Sequence, residues 1–362
     1  MKPDFSRVPM VDVIKVVASQ LIIWHHLAFY GPMSDVVYPH APQMIDWLYD
    51  NARIAVQAFL VIGGFLAARS LVPSLEAVWT DIRRLNVFSL IWRRYVRLAR
   101  PYLAALLIAM VAAALARQLI EHPAIPQMPS HQQIVAHIFL LQDLVDVEAL
   151  SAGVWYVAID FQLYALLVLV LWFSSRMADT TGMPASHLVL GMCLGLTGAS
   201  LLWLNRNPGL DEWAPYFFGA YGLGILAQWI SQHPRKGRWV ALLAVLVLAA
   251  LALEWRSRTL VAGLIALLLI LSVDGRLPPR WLDNKPVAAL GKISYSVFLI
   301  HYPVCLAVGA VVYRLWPSSV AINFLGMFAA WLLSLGAGFI LYQTVESSGF
   351  GRPSNLKGSV SE

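Results

Sequence analysis

Residues 320–343 read VAINFLGMFAAWLLSLGAGFILYQ, a run of 24 residues without one charged side chain. A helix of about 20 apolar residues crosses the hydrocarbon core of a bilayer, so this run predicts a membrane-spanning helix. Nine further apolar runs precede it, near residues 10–30, 53–72, 101–120, 154–173, 186–204, 214–231, 238–253, 258–273 and 292–313. The sequence therefore predicts an all-α fold, a polytopic membrane helix bundle of about ten transmembrane helices.

The composition of the whole chain supports the same fold class. The chain has 362 residues, of which 59% are hydrophobic and 13% charged, and its mean hydropathy is +0.67. Soluble domains carry roughly 25% charged residues, which excludes an ordinary water-soluble enzyme. The predicted spans and their connections use almost the whole length. We expect a single transmembrane domain over residues 1–346 and a short cytoplasmic tail over residues 347–362.

A weaker apolar run lies at residues 134–145, after a proline-rich loop that extends from Pro123 to Pro129. This run is too short to cross a bilayer as a helix. We expect a re-entrant or interfacial helix here, outside the count of spans.

Basic residues are distributed unevenly between the predicted loops. The chain has 26 lysines and arginines against 20 acidic residues, which gives a net charge of +6. Placing the amino terminus in the cytoplasm puts most of these basic residues in cytoplasmic loops, as the positive-inside rule requires. Both termini are then cytoplasmic, because the predicted number of spans is even. The membrane thus accounts for the basic excess, and we expect no nucleic-acid partner.

The first predicted helix carries Asp12, Lys15 and His26. Ionisable groups within a span are costly and are functional candidates by default. Lys15 and His26 are about three helical turns apart and share a face, whereas His25 points about 80° away. His26 lies about 16 Å beyond Lys15 and therefore in the outer half of the membrane. It is either a general base or a buried, hydrogen-bonded structural histidine.

A cluster of arginines precedes the third span. Arg93, Arg97 and Arg100 follow the i, i+4, i+7 spacing of one helix face, with Arg94 close by. Guanidinium groups bind phosphate oxygens bidentately, so the cluster suits a nucleotide-bearing ligand such as coenzyme A. The alternative is an anchor that contacts lipid phosphates at the cytoplasmic surface.

Polar side chains also interrupt the fourth and ninth spans. Asp160 lies about 9 Å inside its span and needs a partner, either His26, which it would orient, or an arginine. Ser294 and His301 are about two turns apart on one face, and Ser294 and Tyr295 belong to a polar stretch that leads to His301 from the cytoplasmic side. This pattern favours a lined cavity over a purely structural histidine.

Taken together, these four segments resemble the acyltransferase 3 family of integral membrane O-acyltransferases, which modify bacterial surface glycans, exopolysaccharides, periplasmic glucans and lipids. The matching positions are Asp12, Lys15 and His26 in the first helix, Arg94 and Arg97 before Pro101 and Tyr102, Trp155, Asp160, Gln162 and Tyr164 in the fourth span, and Ser294, Tyr295, His301 and Pro303 in the ninth. The family often has arginine in place of Lys15 and glutamate in place of Asp160. Its terminal acid before a proline is only partly present, because serines follow Glu346.

The resemblance implies an enzyme that moves an acyl group, most simply acetyl, from cytoplasmic acyl-coenzyme A to a hydroxyl of a cell-surface or exported glycan or glycolipid. It implies His26 as general base or transient acyl carrier, with Asp160 orienting it. Phosphate contacts are expected from Arg93, Arg94, Arg97 and Lys15, and a substrate path from Asp12, Tyr164, Ser294, Tyr295 and His301. Acyl-coenzyme A is then a substrate, and we expect neither a permanently held cofactor nor a metal. The expected location is the bacterial cytoplasmic (inner) membrane, where the protein contacts the membrane lipids.

Two other classes of protein use buried ionisable groups of this kind. In a transporter or exchanger the same charges would form a proton relay and the substrate would not change covalently. In a membrane cytochrome His26 and His301 would be axial ligands of a haem. Discontinuous helices in paired halves, the sequence mark of many transporters, are not found in this sequence.

Overall fold

The structure is a computed structural model that describes residues 7–72, 86–273 and 277–349. These ranges contain helices, turns and loops, and no β-strand. The α-helices are α1 (Pro9–Phe29), α2 (Met33–Val37), α3 (Pro42–Asn51), α4 (Ala55–Leu71), α5 (Val87–Leu119), α6 (His131–Ile138), α7 (Trp155–Thr181), α8 (Ala185–Leu202), α9 (Ala214–Gln232), α10 (Lys236–Leu253), α11 (Ser257–Ser272), α12 (Lys285–Leu315) and α13 (Val320–Leu341). A π-helical turn, Tyr342–Glu346, continues α13. Most of the predicted tail lies outside the described residues.

Each of the predicted spans corresponds to one of these helices, which confirms the polytopic membrane bundle. In the described part of the chain, 8 helical segments are long and apolar enough to cross a membrane. The other two predicted spans are α11, which is shorter, and α9, whose many glycines and polar residues lower its hydropathy. Most residues of α9 are nevertheless buried inside the bundle.

Helix α9 lies against α4 at backbone distance. A Cβ atom added to Gly64 would lie 1.9 Å from the carbonyl oxygen of Tyr221, and one added to Gly224 would lie 1.9 Å from that of Val61. Only glycine allows two helices to approach this closely. The contact fixes α4 and α9 beside the centre of the bundle, where Tyr221 lies next to the functional residues described below.

Two helices begin much earlier than their apolar runs. Asn86 caps α5 by accepting a hydrogen bond from the Ser89 amide at 2.9 Å, and Asn284 caps α12 through the Val287 amide at 2.9 Å. Charged residues interrupt the apolar sequence before residue 101 in α5 and up to residue 292 in α12, so hydropathy alone places the two starts at 101 and 292. The extension puts the whole arginine cluster on α5.

The segment between α5 and α7 folds back along α5. It contains the short helix α6, which begins with a capping box between Ser130 and Gln133. The Tyr95 hydroxyl donates a hydrogen bond to the Ile138 carbonyl at 2.7 Å. Tyr95 lies about 36 Å before the end of α5, since each helical residue advances 1.5 Å. The segment therefore returns into the bundle, which favours the re-entrant alternative predicted for this region.

Candidate active site

A cavity of about 700 Å³ lies between α1, α4, α5, α7, α12 and the π-helical turn. Its charged and hydroxyl-bearing lining comes from Arg7, Asp12, Lys15, Arg94, Arg97, Tyr156, Asp160, Lys292, Ser294, Tyr295, Tyr342, Glu346 and Ser347. Seven of the predicted site residues therefore meet around one space: Asp12, Lys15, Arg94, Arg97, Asp160, Ser294 and Tyr295. These residues come from four helices that are distant in the sequence.

The carboxylate of Asp160 is paired with an arginine. Its Oδ2 atom lies 2.5 Å from a terminal guanidinium nitrogen of Arg94, and the two side chains are 7% and 19% exposed. A buried carboxylate is stable only beside a positive charge or hydrogen-bond donors, and a cation satisfies it better than a neutral histidine. Of the two partners predicted for Asp160, His26 or an arginine, the structure pairs the carboxylate with an arginine, Arg94.

Two neighbours hold this ion pair in place. The Arg94 guanidinium lies over the ring of Tyr164, 5.0 Å from its centroid, so Tyr164 supports the pair rather than lining the cavity. On the other side, a Cβ atom added to Gly63 would lie 3.2 Å from Asp160 Oδ1. One terminal nitrogen of Arg94 is bound to Asp160, and Arg94 also lines the cavity, so its contact with a phosphate group stays a prediction.

The arginine cluster is divided between two spaces. Arg93 and Arg100 line a separate groove of about 300 Å³ that also contains Trp92. Arg97 lines both this groove and the central cavity. The predicted common face of Arg93, Arg97 and Arg100 is present, but Arg93 does not reach the central cavity in this structure.

His26 and His301 form a direct pair. The Nδ1 atom of His26 lies 2.6 Å from Nε2 of His301, and the rings stack with their centroids 4.9 Å apart. His301 Nδ1 lies 2.6 Å from the carbonyl oxygen of Phe298, which can only accept a hydrogen bond. In the neutral pair His301 therefore donates from Nδ1 and accepts at Nε2, so His26 donates from Nδ1. The Nε2 atom of His26 is left as an unprotonated base.

This direct contact also bears on the cytochrome alternative. Two axial histidines of one haem have the iron between their ligating nitrogens. The nitrogens of His26 and His301 are instead within hydrogen-bond distance of each other. The pair in this structure therefore does not have the geometry of two axial ligands of one haem.

The re-entrant segment ends against His26. Gly153 has a φ of +75°, and a Cβ atom at this position would lie 3.2 Å from His26 Cε1 and 3.2 Å from Phe298 Cζ. Glycine is thus required both by its left-handed backbone and by the close approach of two rings. Sequence reasoning assigns Gly153 no role, because nothing in its neighbourhood signals a contact with the first helix.

Aromatic side chains separate the histidine pair from the polar cavity. Phe59, Tyr156 and Phe298 line the cavity, and their ring centroids lie 5.6 to 6.3 Å apart. The ring of Phe298 is also 6.1 Å from that of His301. Phe298 therefore lies between the cavity and the histidine pair.

The structure adds two residues to the cavity lining that the sequence analysis did not place in the site, Glu346 and Lys292. Glu346 lines the cavity and accepts a hydrogen bond from the Ser296 hydroxyl at 2.6 Å. Lys292 also lines it, with its ammonium 5.2 Å from the ring centroid of Tyr342. The available signals in the sequence are the position of Glu346 at the end of the last span and that of Lys292 two residues before Ser294. Tyr295, whose hydroxyl donates to the Leu98 carbonyl at 3.0 Å, joins α12 to α5.

The fold and the site thus define a membrane helix bundle with a basic central cavity beside a buried histidine pair. A family model described as "Acyltransferase domain" matches residues 9–343, nearly the whole chain. The chain belongs to the acyltransferase 3 family and is a multi-pass membrane acyltransferase. Searches of curated proteins and of solved structures gave no significant match.

Proposed function

We propose that the protein transfers an acetyl group from acetyl-coenzyme A, on the cytoplasmic side of a bacterial inner membrane, to a hydroxyl of a surface or exported glycan or glycolipid. The observation that carries this proposal is the cavity of about 700 Å³, which has a basic lining at one end and reaches the aromatic wall beside His26 and His301 at the other. A thioester donor needs this combination of an anion-binding mouth, a channel and a base.

The donor enters at the end of the cavity lined by Lys15, Arg97 and Lys292. These three cations neutralise phosphate groups of coenzyme A. The adjoining groove, which is lined by the exposed indole of Trp92 and by Arg93 and Arg100, suits the nucleotide end of the same molecule. The pantetheine arm then occupies the central cavity and brings the thioester to Phe298, whose ring must turn aside for the thioester to reach His26 behind it. Arg94 and Asp160 act as positioning residues in the cavity wall.

His26 is the catalytic base in this proposal. Its Nε2 atom takes the proton of the acceptor hydroxyl while the hydroxyl oxygen attacks the thioester carbonyl. The new C–O bond forms and the C–S bond breaks, so coenzyme A leaves as a thiolate and receives the proton from His26. His301 holds the His26 ring through Nδ1 and stabilises the positive charge that develops on it.

The proposal is tested by following labelled acetyl groups. Purified protein is reconstituted in vesicles with acetyl-coenzyme A labelled in the acetyl group and a membrane extract as acceptor. We expect label in the glycan or glycolipid fraction with the wild type and with the control His40→Ala, whose side chain is exposed. His26→Ala loses about 10²–10⁴-fold in rate. Full transfer by His26→Ala contradicts the assignment of the base.

The transporter alternative gives a different result in the same vesicles. It predicts that a substrate crosses the membrane without a new covalent bond, so no acyl ester forms in any fraction. Mass spectrometry of the acceptor fraction distinguishes an added acetyl ester from unmodified material.

A further inference from the structure

A second large space lies on the side of α9 away from the active site. It is a crevice of about 680 Å³ between α8, α9 and α10, and it does not share any lining residue with the central cavity. Its size is within the range of small-molecule sites in proteins. The acyl-transfer proposal does not use it.

The apolar walls of the crevice follow helical spacing. The pairs Leu190 and Leu194 on α8, Leu226 and Ile230 on α9, and Leu242 and Leu246 on α10 each repeat at four residues, so each helix turns one stripe towards the same space. Leu242 is 47% exposed, which shows that the crevice opens to the lipid side of the bundle. A hydrocarbon chain can enter laterally and fill these walls.

One end of the crevice is polar and basic. His187 and His233 line this end, beside the start of α8 and the end of α9. Arg235 and Arg238 are exposed and follow His233 closely in the chain, in the short connection to α10 and its first turn. The chemistry of this end therefore complements an anionic group at the membrane surface.

A hydrogen bond to His233 fixes the tautomer of its neutral ring. Its Nδ1 atom accepts a hydrogen bond from the Arg235 backbone amide at 3.0 Å, so in the neutral ring the proton is on Nε2. The ring lies edge-on to Trp239, with the centroids 5.9 Å apart. His233 thus offers an N–H donor at the mouth of an otherwise apolar crevice, which is the arrangement that a phosphate oxygen needs.

We propose that this crevice binds an anionic phospholipid of the cytoplasmic leaflet. One acyl chain fills the space between α8, α9 and α10, and the headgroup phosphate is bound by His233, Arg235 and Arg238. The apolar walls alone would accept any lipid chain, whereas the basic end selects a headgroup with a net negative charge. The leaflet follows from the orientation in which these basic residues are cytoplasmic.

The test is lipid binding to the purified full-length protein, measured by native mass spectrometry with dioleoyl phosphatidylglycerol and dioleoyl phosphatidylcholine. We expect the wild type to bind phosphatidylglycerol roughly tenfold more tightly, since charge-assisted hydrogen bonds to the phosphate are reinforced by the net charge. The double variant Arg235→Gln/Arg238→Gln loses most of this preference. The matched variant Arg280→Gln, an exposed arginine away from the crevice, keeps it.

A second pair of variants tests the chain-binding walls. Leu242→Trp fills the crevice and weakens binding of both lipids, whereas Leu248→Trp, also an exposed leucine of α10 but outside the lining, leaves binding unchanged. Equal affinity of the wild type for the two lipids overturns the proposal. Unchanged phosphatidylglycerol binding in both Leu242→Trp and the double arginine variant also overturns it. None of these results depends on acyl-transfer activity.

Discussion

Replacing Asp160 by asparagine tests the buried ion pair of the cavity wall. The change keeps the size of the side chain. This matters because Gly63 packs closely against Asp160: a Cβ atom added to Gly63 would lie 3.2 Å from Oδ1 of Asp160. It removes the charge that compensates Arg94, whose side chain is 19% exposed. Breaking a buried pair on one side costs about 3–5 kcal/mol, because the remaining charge is left without a counter-charge.

We expect the lower end of this range, about 3 kcal/mol, because Arg94 borders a cavity that water can enter. This loss corresponds to a decrease of roughly 4 °C in the midpoint of thermal unfolding of a chain of 362 residues. The double variant Asp160→Leu/Arg94→Met removes both charges and recovers part of the loss. Thermal unfolding of the detergent-solubilised protein, followed by size-exclusion chromatography, measures all three proteins.

The control is the exposed pair between Arg7 and Asp283, whose side chains are 43% and 42% exposed. Asp283→Asn changes the unfolding midpoint little, because solvent screens this pair. An Asp160→Asn protein as stable as the wild type would refute the reasoning. A double variant less stable than Asp160→Asn would refute it as well, since the penalty would then not come from the unpaired charge.

Three further predictions concern catalysis and the donor. His301→Ala lowers kcat about 10²-fold at unchanged KM, because the Nδ1 atom of His26 loses its hydrogen-bond partner. Steady-state transfer kinetics measure both constants, and a parallel rise of KM would contradict the prediction. Gly153→Ala lowers activity more than Gly182→Ala in the same assay. Both glycines have φ above +70°, but only at Gly153 would a Cβ atom contact His26, so equal losses would contradict this contact. Lys15→Gln raises the KM for acetyl-coenzyme A roughly tenfold at constant kcat. The control Lys285→Gln does not, because Lys285 is exposed and lies outside the cavity. Equal KM values in the two variants would remove Lys15 from the donor site.

The membrane fold could be predicted because the bilayer imposes a length and a polarity on each span. The apolar runs marked the spans, and the cost of a buried charge marked Lys15, Asp160 and His26 as candidates. The same argument could not locate the starts of α5 and α12, since polar caps at Asn86 and Asn284 set them. Hydropathy reports where a helix meets lipid and does not report where the helix begins.

The pairing of the site residues could not be predicted from spacing. His26 and His301 are 275 positions apart in the sequence, and helical periodicity gives only the face of each helix, not the helix that it contacts. Asp160 had several possible cations, and only the packing of α5 against α7 selects Arg94. Gly153 gave no signal at all, because its role comes from a φ of +75° and from the rings that approach it.

The central claim is that a donor on the cytoplasmic side reaches His26 through the basic cavity. The most direct measurement adds labelled acetyl-coenzyme A, which does not cross membranes, to the outside of sealed vesicles of both orientations. We predict acceptor labelling only in inverted vesicles, where the cytoplasmic face is outside, and its loss in His26→Ala. Equal labelling in right-side-out vesicles, or full labelling by His26→Ala in inverted vesicles, would contradict the account.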